Sequence, residues 1–212
     1  MALTQETEIR DRILEFSREK FMQSGFSKVT LDEIASELGM SKKTLYKYFE
    51  SKEHLLSECV SRSMQTIEEK SSQIMTSDML FTEKIASVVT LIGSQFGRLS
   101  KIGAGDLQRN APEQWTRIET FRREKILMRF GGLIAQGRAE GFVREDIPDQ
   151  LVILILLSAV QGIVTPEVLM QHSFSVHDAL RAIFTTVFEG ILTENGKKTF
   201  SSIHQNIRDR HS

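Results

Sequence analysis

The side chains best suited to chemistry lie close together, between residues 28 and 52. Lys28, Lys42, Lys43, Lys47 and Lys52 supply cationic N–H donors, Thr30, Ser41 and Thr44 supply hydroxyls, and Tyr46 and Tyr48 supply phenols. Ammonium groups attract phosphate, short hydroxyls donate to phosphates or base edges, and tyrosines donate to phosphate or pack on sugars. Residues 41–52 carry four lysines against the single acid Glu50, whereas the preceding 40 residues mix their charges. Such a set holds a nucleic acid; it does not activate a nucleophile.

Two short helices must position these groups. Thr30 and Glu33 have the spacing of a capping box, with the hydroxyl accepting from the third helical N–H and the carboxylate returning to the cap N–H. Leu31, Ile34, Ala35 and Leu38 then form one buried face, and Gly39 ends the helix and permits a turn. Ser41 suits the cap of the next helix, which Leu45 and Phe49, four apart, anchor to a small core. A preceding helix over 6–24 presents Ile9, Ile13 and Phe16 at helical spacing. This is the arrangement that lays a second helix in the major groove of DNA. Lys43 and Thr44, near the start of that helix, are placed to reach bases. Tyr46 and Tyr48 suit phosphate or sugar, Lys42 adds charge beside them, and Lys52 suits a phosphate clamp at the next helix N-terminus. Lys28 and Thr30 sit where the preceding helix meets the backbone. Ser41 can cap, touch phosphate or do both. Lys47 is left open between a DNA contact and a solvated charge.

The remaining chain reads as helices throughout, so the fold class is all-α, with about nine helices. A helix–turn–helix module over 1–50 precedes a larger helical region over 51–195 and a polar C-terminal tail over 196–212. Helices are expected over 51–75, through the stripe from Phe81 to Leu99, around 106–110, from Pro112 through Ile134, and over 149–162 and 176–193. Gly103 and Gly105 are read as bracketing a loop, and Asp106 as solvated.

Bulk properties narrow the class further. The net charge is −1, which argues against indiscriminate coating of nucleic acid but leaves local charge free to act. Cys59 is the only cysteine, so no intrachain disulfide forms, and a cytoplasmic location fits. The N-terminus lacks signal-peptide order, and the most apolar run, 151–160, is about half of the roughly 20 residues a spanning helix needs. No membrane partner is expected. The five histidines show no metal-ligand spacing, and no nucleophile elbow or phosphate-cradling glycine loop occurs. The expectation is a protein that is not an enzyme and has neither catalytic residues, metal nor cofactor; a small helical enzyme is the remote alternative.

The segment GFSKVTLDEIASELGMSKKTLYKYFESKEHLL, residues 25–56, resembles the TetR family of bacterial transcriptional regulators. Lys43 departs from that pattern, where glycine is common. The resemblance implies a homodimer on a near-palindromic DNA operator, with 149–162 and 176–193 as the dimer face. It further implies a repressor released by a small hydrophobic or amphipathic effector held within residues 55–195. Phe96, Trp115, Phe121, Met128, Phe130, Gln161 and Phe174 are the expected pocket residues, although the same apolar stripes also suit plain core. Control by a protein partner, or the absence of any ligand, is the alternative.

Overall fold

The computed structural model describes residues 2–96 and 100–200, and the described chain is almost wholly helical. The helices are α1 (Ala2–Ser24), α2 (Leu31–Glu37), α3 (Lys42–Tyr48), α4 (Lys52–Thr76), α5 (Phe81–Phe96), α6 (Lys101–Asn110), α7 (Pro112–Ala139), α8 (Asp149–Ile163), α9 (Pro166–Gln171) and α10 (Val176–Ile191). Residues 194–200 form a further helical segment. Among the described residues there is no strand, only an isolated antiparallel bridge between Val143 and Leu192. No described helix is long and apolar enough to cross a membrane.

Residues 2–66 and 100–119 form one compact unit, and 67–96 with 120–200 form a second. The boundaries fall inside α4 and α7, not at residue 50 where the sequence pattern changes. In the first unit the apolar faces of α1 to α4 close on one core: Ile13, Ile34, Leu45, Phe49 and Leu55 are fully buried. Phe21 and Phe26 meet edge to face, with ring centroids 5.6 Å apart. Helix α6 also belongs here and packs on α1. It begins at Lys101, not near 106, so Gly103 and Gly105 are buried helical residues and do not bracket a loop.

The second unit is organised around α10, which packs on α5 and α8. Its buried stripe, from Val176 through Leu180, Ile183, Phe184 and Phe188 to Ile191, is what the 3.6-residue period dictates. Phe130 of α7 lies 5.9 Å from Phe184 and 5.8 Å from Phe188, and Phe81 of α5 lies 6.3 Å from Phe188. Ser175 and Asp178 form the capping box of α10. Pro166 starts α9, which Thr165 caps. A polar tail is expected from 196, but the helical segment 194–200 buries Phe200.

Candidate nucleic acid interface

The local folding of α2 and α3 follows from their caps. Thr30 Oγ1 accepts from Glu33 N at 3.2 Å, and Glu33 Oε2 accepts from Thr30 N at 3.4 Å. Such a cap contributes about 1 kcal/mol. The α2 C-terminus closes through Gly39 N to Ser36 O (3.0 Å) and Met40 N to Ala35 O (2.9 Å), with Gly39 at φ +68°. Only glycine takes that conformation without cost, which makes the turn short enough to set α3 across α2. Ser41 Oγ then accepts from Thr44 N at 3.0 Å and lies 2.8 Å from Thr44 Oγ1. Arg12 of α1 donates to Leu38 O at 3.2 Å and satisfies a terminal carbonyl of α2.

Helix α3 buries Leu45 within a single turn and leads into buried Phe49, so its opposite side is left to solvent. That side carries Lys42, Lys43, Tyr46 and Lys47, with Thr44 and Tyr48 at its borders. Tyr46 is 50% exposed. Tyr48 is half-buried against the core, so of the two phenols Tyr46 is the freer. Lys28, Thr30 and Ser41 are also exposed, on the α1–α2 loop and at the two N-caps.

The lysines are not equivalent, which the sequence does not disclose. Lys42 pairs with Asp32 of α2, and Lys47 pairs with Glu6 of α1. The Glu6 carboxylate, through its hydrogen bond and its charge, raises the Lys47 pKa above the usual lysine value. Lys52 turns inward: Nζ donates to Val29 O at 2.8 Å and Ser27 O at 3.3 Å and lies 4.4 Å from the Phe26 ring centre. An ammonium has three N–H groups, so Lys52 keeps one for any outside partner. Lys28 and Lys43 form no ion pair with a described residue, and they are the cations on this surface with no internal acid to leave.

The expected pocket residues are dispersed. Met128 is 73% exposed and Gln161 is exposed, so neither lines an enclosed space within this chain. Their positions on the outer sides of α7 and α8 depend on which helix faces solvent, and apolar or amide character alone does not specify that. Phe130 is buried in the ring cluster with Phe184 and Phe188. Trp115 and Phe121 are half-buried on α7, and Phe174 is half-buried and stacked on His172 at 5.2 Å. The Phe96 side chain lies outside the described residues.

Asp106 is buried, contrary to its reading as solvated: it is 6% exposed and accepts hydrogen bonds from Ser27 and Asn110. No residue type or spacing near 106 signals this, because the partner lies 79 residues away.

Residues 13–59 match the family described as bacterial regulatory proteins, tetR family. The chain is 24% identical over 184 residues to the uncharacterised HTH-type transcriptional regulator YvaF of Bacillus subtilis strain 168, covering 86% of this chain and 95% of that one. A TetR transcriptional regulator from Chloroflexus aurantiacus superposes with a TM-score of 0.62 at 17% identity, covering 88% and 95% of the two chains. A Saccharomonospora viridis protein in complex with choline superposes with a TM-score of 0.66 at 18% identity, covering 89% and 100%. The matched segment contains both short helices and their turn, with the caps and buried anchors described above, and the fold is shared along most of the chain. Residues 13–59 carry the helix–turn–helix region of the TetR family of bacterial regulatory proteins, and along most of its length the chain is similar to an HTH-type transcriptional regulator and shares its fold with a TetR transcriptional regulator.

Proposed function

We propose that the chain acts as a two-fold dimeric repressor that reads a near-palindromic operator with α3 and leaves it when a small hydrophobic or amphipathic molecule binds. The observation that carries this reading is the solvent side of α3, where Lys43 and Tyr46 stand free above buried Leu45 and Phe49. Lys43 and Thr44 read base edges. Lys28, Thr30, Ser41 and Tyr46 hold phosphates, and Tyr48 supports the helix from its border. Lys42 joins them on release from Asp32, and Lys52 contributes its one remaining N–H. Phosphate contacts fix the register and base contacts give the sequence preference.

One α3 helix offers few contacts, and a two-fold pair spaced about 34 Å apart doubles them. The outer side of α8 supports such pairing: Leu151, Leu154 and Ile155 are exposed on it. Exposed positions on α10 are smaller or polar, among them Arg181, Ala182 and Thr186. Leucine and isoleucine side chains recurring along one exposed helix face suit burial against a second copy.

Release requires an effector that binds the DNA-free form better. Moving the equilibrium from 1:99 to 99:1 takes about 5.5 kcal/mol, or about 2.7 kcal/mol for each of two sites. Half-buried Phe121 and Phe174, both in the second unit, supply apolar surface for such a molecule. The choline complex of the Saccharomonospora protein supports a small organic effector as a class, without naming this one.

The test replaces Lys43 and Tyr46 together by alanine. Binding to a duplex selected by the wild-type protein is expected to be lost, with the thermal midpoint unchanged. Wild-type affinity in the double variant would overturn the assignment of α3 as the reading helix.

A further inference from the structure

The α1–α2 loop, residues 25–30, is held from two sides by elements far away in sequence. Ser27 N donates to Asp106 Oδ2 at 2.8 Å, and Ser27 Oγ donates to Asp106 Oδ1. Ser27 O and Val29 O both accept from Lys52 Nζ. Phe26 and Val29 are buried on either side. Lys28 lies between these fixed points, exposed and without an ion pair to a described residue. Its backbone therefore has little freedom, and its ammonium is presented outward from a defined place.

Helix α6 is built to make this hold. Ser100 N donates to Met22 O at 3.0 Å and Ser100 Oγ donates to Gln23 O at 2.9 Å, which ties the α6 N-terminus to the α1 C-terminus. A Cβ at Gly103 would collide with Met22 O, so glycine is what lets the two helices meet this closely. A Cβ at Gly25 would lie 3.0 Å from Asp106 Cγ. Asn110 Nδ2 donates to Asp106 Oδ1 at 2.8 Å from one turn further along. Ser100, Gly103, Asp106 and Asn110 recur at helical spacing, so a single face of α6 addresses the end of α1 and the loop. Burial disfavours charge on Asp106, but hydrogen bonds from the Ser27 side chain and backbone and from Asn110 outweigh it and hold its pKa below the usual aspartate value.

We infer that Asp106 is a positioning residue for DNA binding: reaching from α6, it fixes the Ser27 turn and thereby sets where Lys28 meets the phosphate backbone. The inference rests on the DNA-reading surface proposed above and adds to it a residue that touches no DNA.

The experiment uses the full chain and a fluorescent duplex enriched by the wild-type protein from a random pool, titrated over a series of salt concentrations. Asp106→Ala is expected to weaken binding about tenfold and to flatten the salt dependence by about 0.9 in log–log slope for each phosphate no longer neutralised. Lys28→Ala is expected to do the same, and the double variant to be little weaker than either single one, since both act on the same phosphate. Asp106→Asn keeps an acceptor for Ser27 N and is expected to recover most of the affinity. Ser27→Ala, a milder change, covers the case in which Asp106→Ala does not fold, and is expected to flatten the slope in part. Unchanged slopes in the folded Asp106 and Ser27 variants, or full additivity with Lys28→Ala, would overturn the inference. Failure of the wild-type protein to enrich any duplex would instead overturn the DNA-reading surface, and the inference with it.

Discussion

Lys52 and Lys43 are both lysines of the α3 region, yet Lys52 turns inward onto the α1–α2 loop while Lys43 faces solvent, and substitution separates them. Lys52→Met keeps the aliphatic stem and removes the ammonium that bridges Val29 O and Ser27 O and lies over Phe26. A hydrogen bond from a charged donor contributes about 1.5–3 kcal/mol, and an exposed cation–π contact about 0.5–1 kcal/mol. Lys52 is only half-buried and water replaces part of what is removed, so about 2 kcal/mol of net destabilisation is expected. For a chain of this length that lowers the thermal midpoint by roughly 4–8 °C. Lys43→Ala removes a side chain that solvent surrounds, and its effect on stability should stay within about 0.5 kcal/mol. Urea titration and thermal melts followed by circular dichroism read both variants side by side. If Lys52→Met melts with the wild type, the lysine is not holding the loop. If Lys43→Ala is the variant that melts early, the two roles are reversed and the description of α3 is wrong.

Three further outcomes follow from the geometry. A charge at Leu154, 53% exposed on α8, is expected to dissociate the proposed dimer; sedimentation of Leu154→Glu as an intact dimer would remove α8 from the proposed interface. Cys59 is buried, and burial pushes its thiol up to about 12, which leaves roughly one thiolate in ten thousand at pH 8; a thiol reagent should label it only after denaturation, and rapid labelling of the native protein would contradict that burial. Acid should weaken the fold through Asp106 and through Glu68, whose carboxylate is held below the usual glutamate range first by its hydrogen bond from Lys125, against burial, with help from Arg129. Both folded-state values lie below the unfolded ones, so the unfolded chain binds more protons and stability falls as pH drops below the ordinary carboxylate range of about 4. Urea midpoints from pH 6 to 3 should decline, and Asp106→Asn should remove part of that decline. A midpoint that is flat or rises on acidification would count against both pairings.

Helices α2 and α3 were legible because their signals are local. A capping box, a glycine turn, a serine cap and two anchors four residues apart fit within twenty residues of sequence, and each is satisfied by neighbours in the chain. Helix α6 was not legible for the opposite reason. Gly103 looks like a break in the sequence but serves a close approach to Met22, and Asp106 looks solvated because its partner Ser27 is 79 residues away. The lysine cluster was visible as a cluster, but its division into paired Lys42 and Lys47, inward Lys52 and free Lys28 and Lys43 depends on acids and carbonyls brought in from α1, α2 and the α1–α2 loop. On α8 the difficulty was different: a helix apolar on most sides does not say which side is covered by its own chain, and only packing against α10 identifies Leu151, Leu154 and Ile155 as the outer ones.

The central claim is that the solvent side of α3 recognises a particular DNA sequence. Selection of bound fragments from a random duplex pool tests it directly. Enrichment of a near-palindrome whose half-sites lie about one duplex turn apart, abolished when Lys43 and Tyr46 are both replaced by alanine, is the expected result. Recovery of unenriched sequence by the wild-type protein, or of the same motif by the double variant, would contradict it.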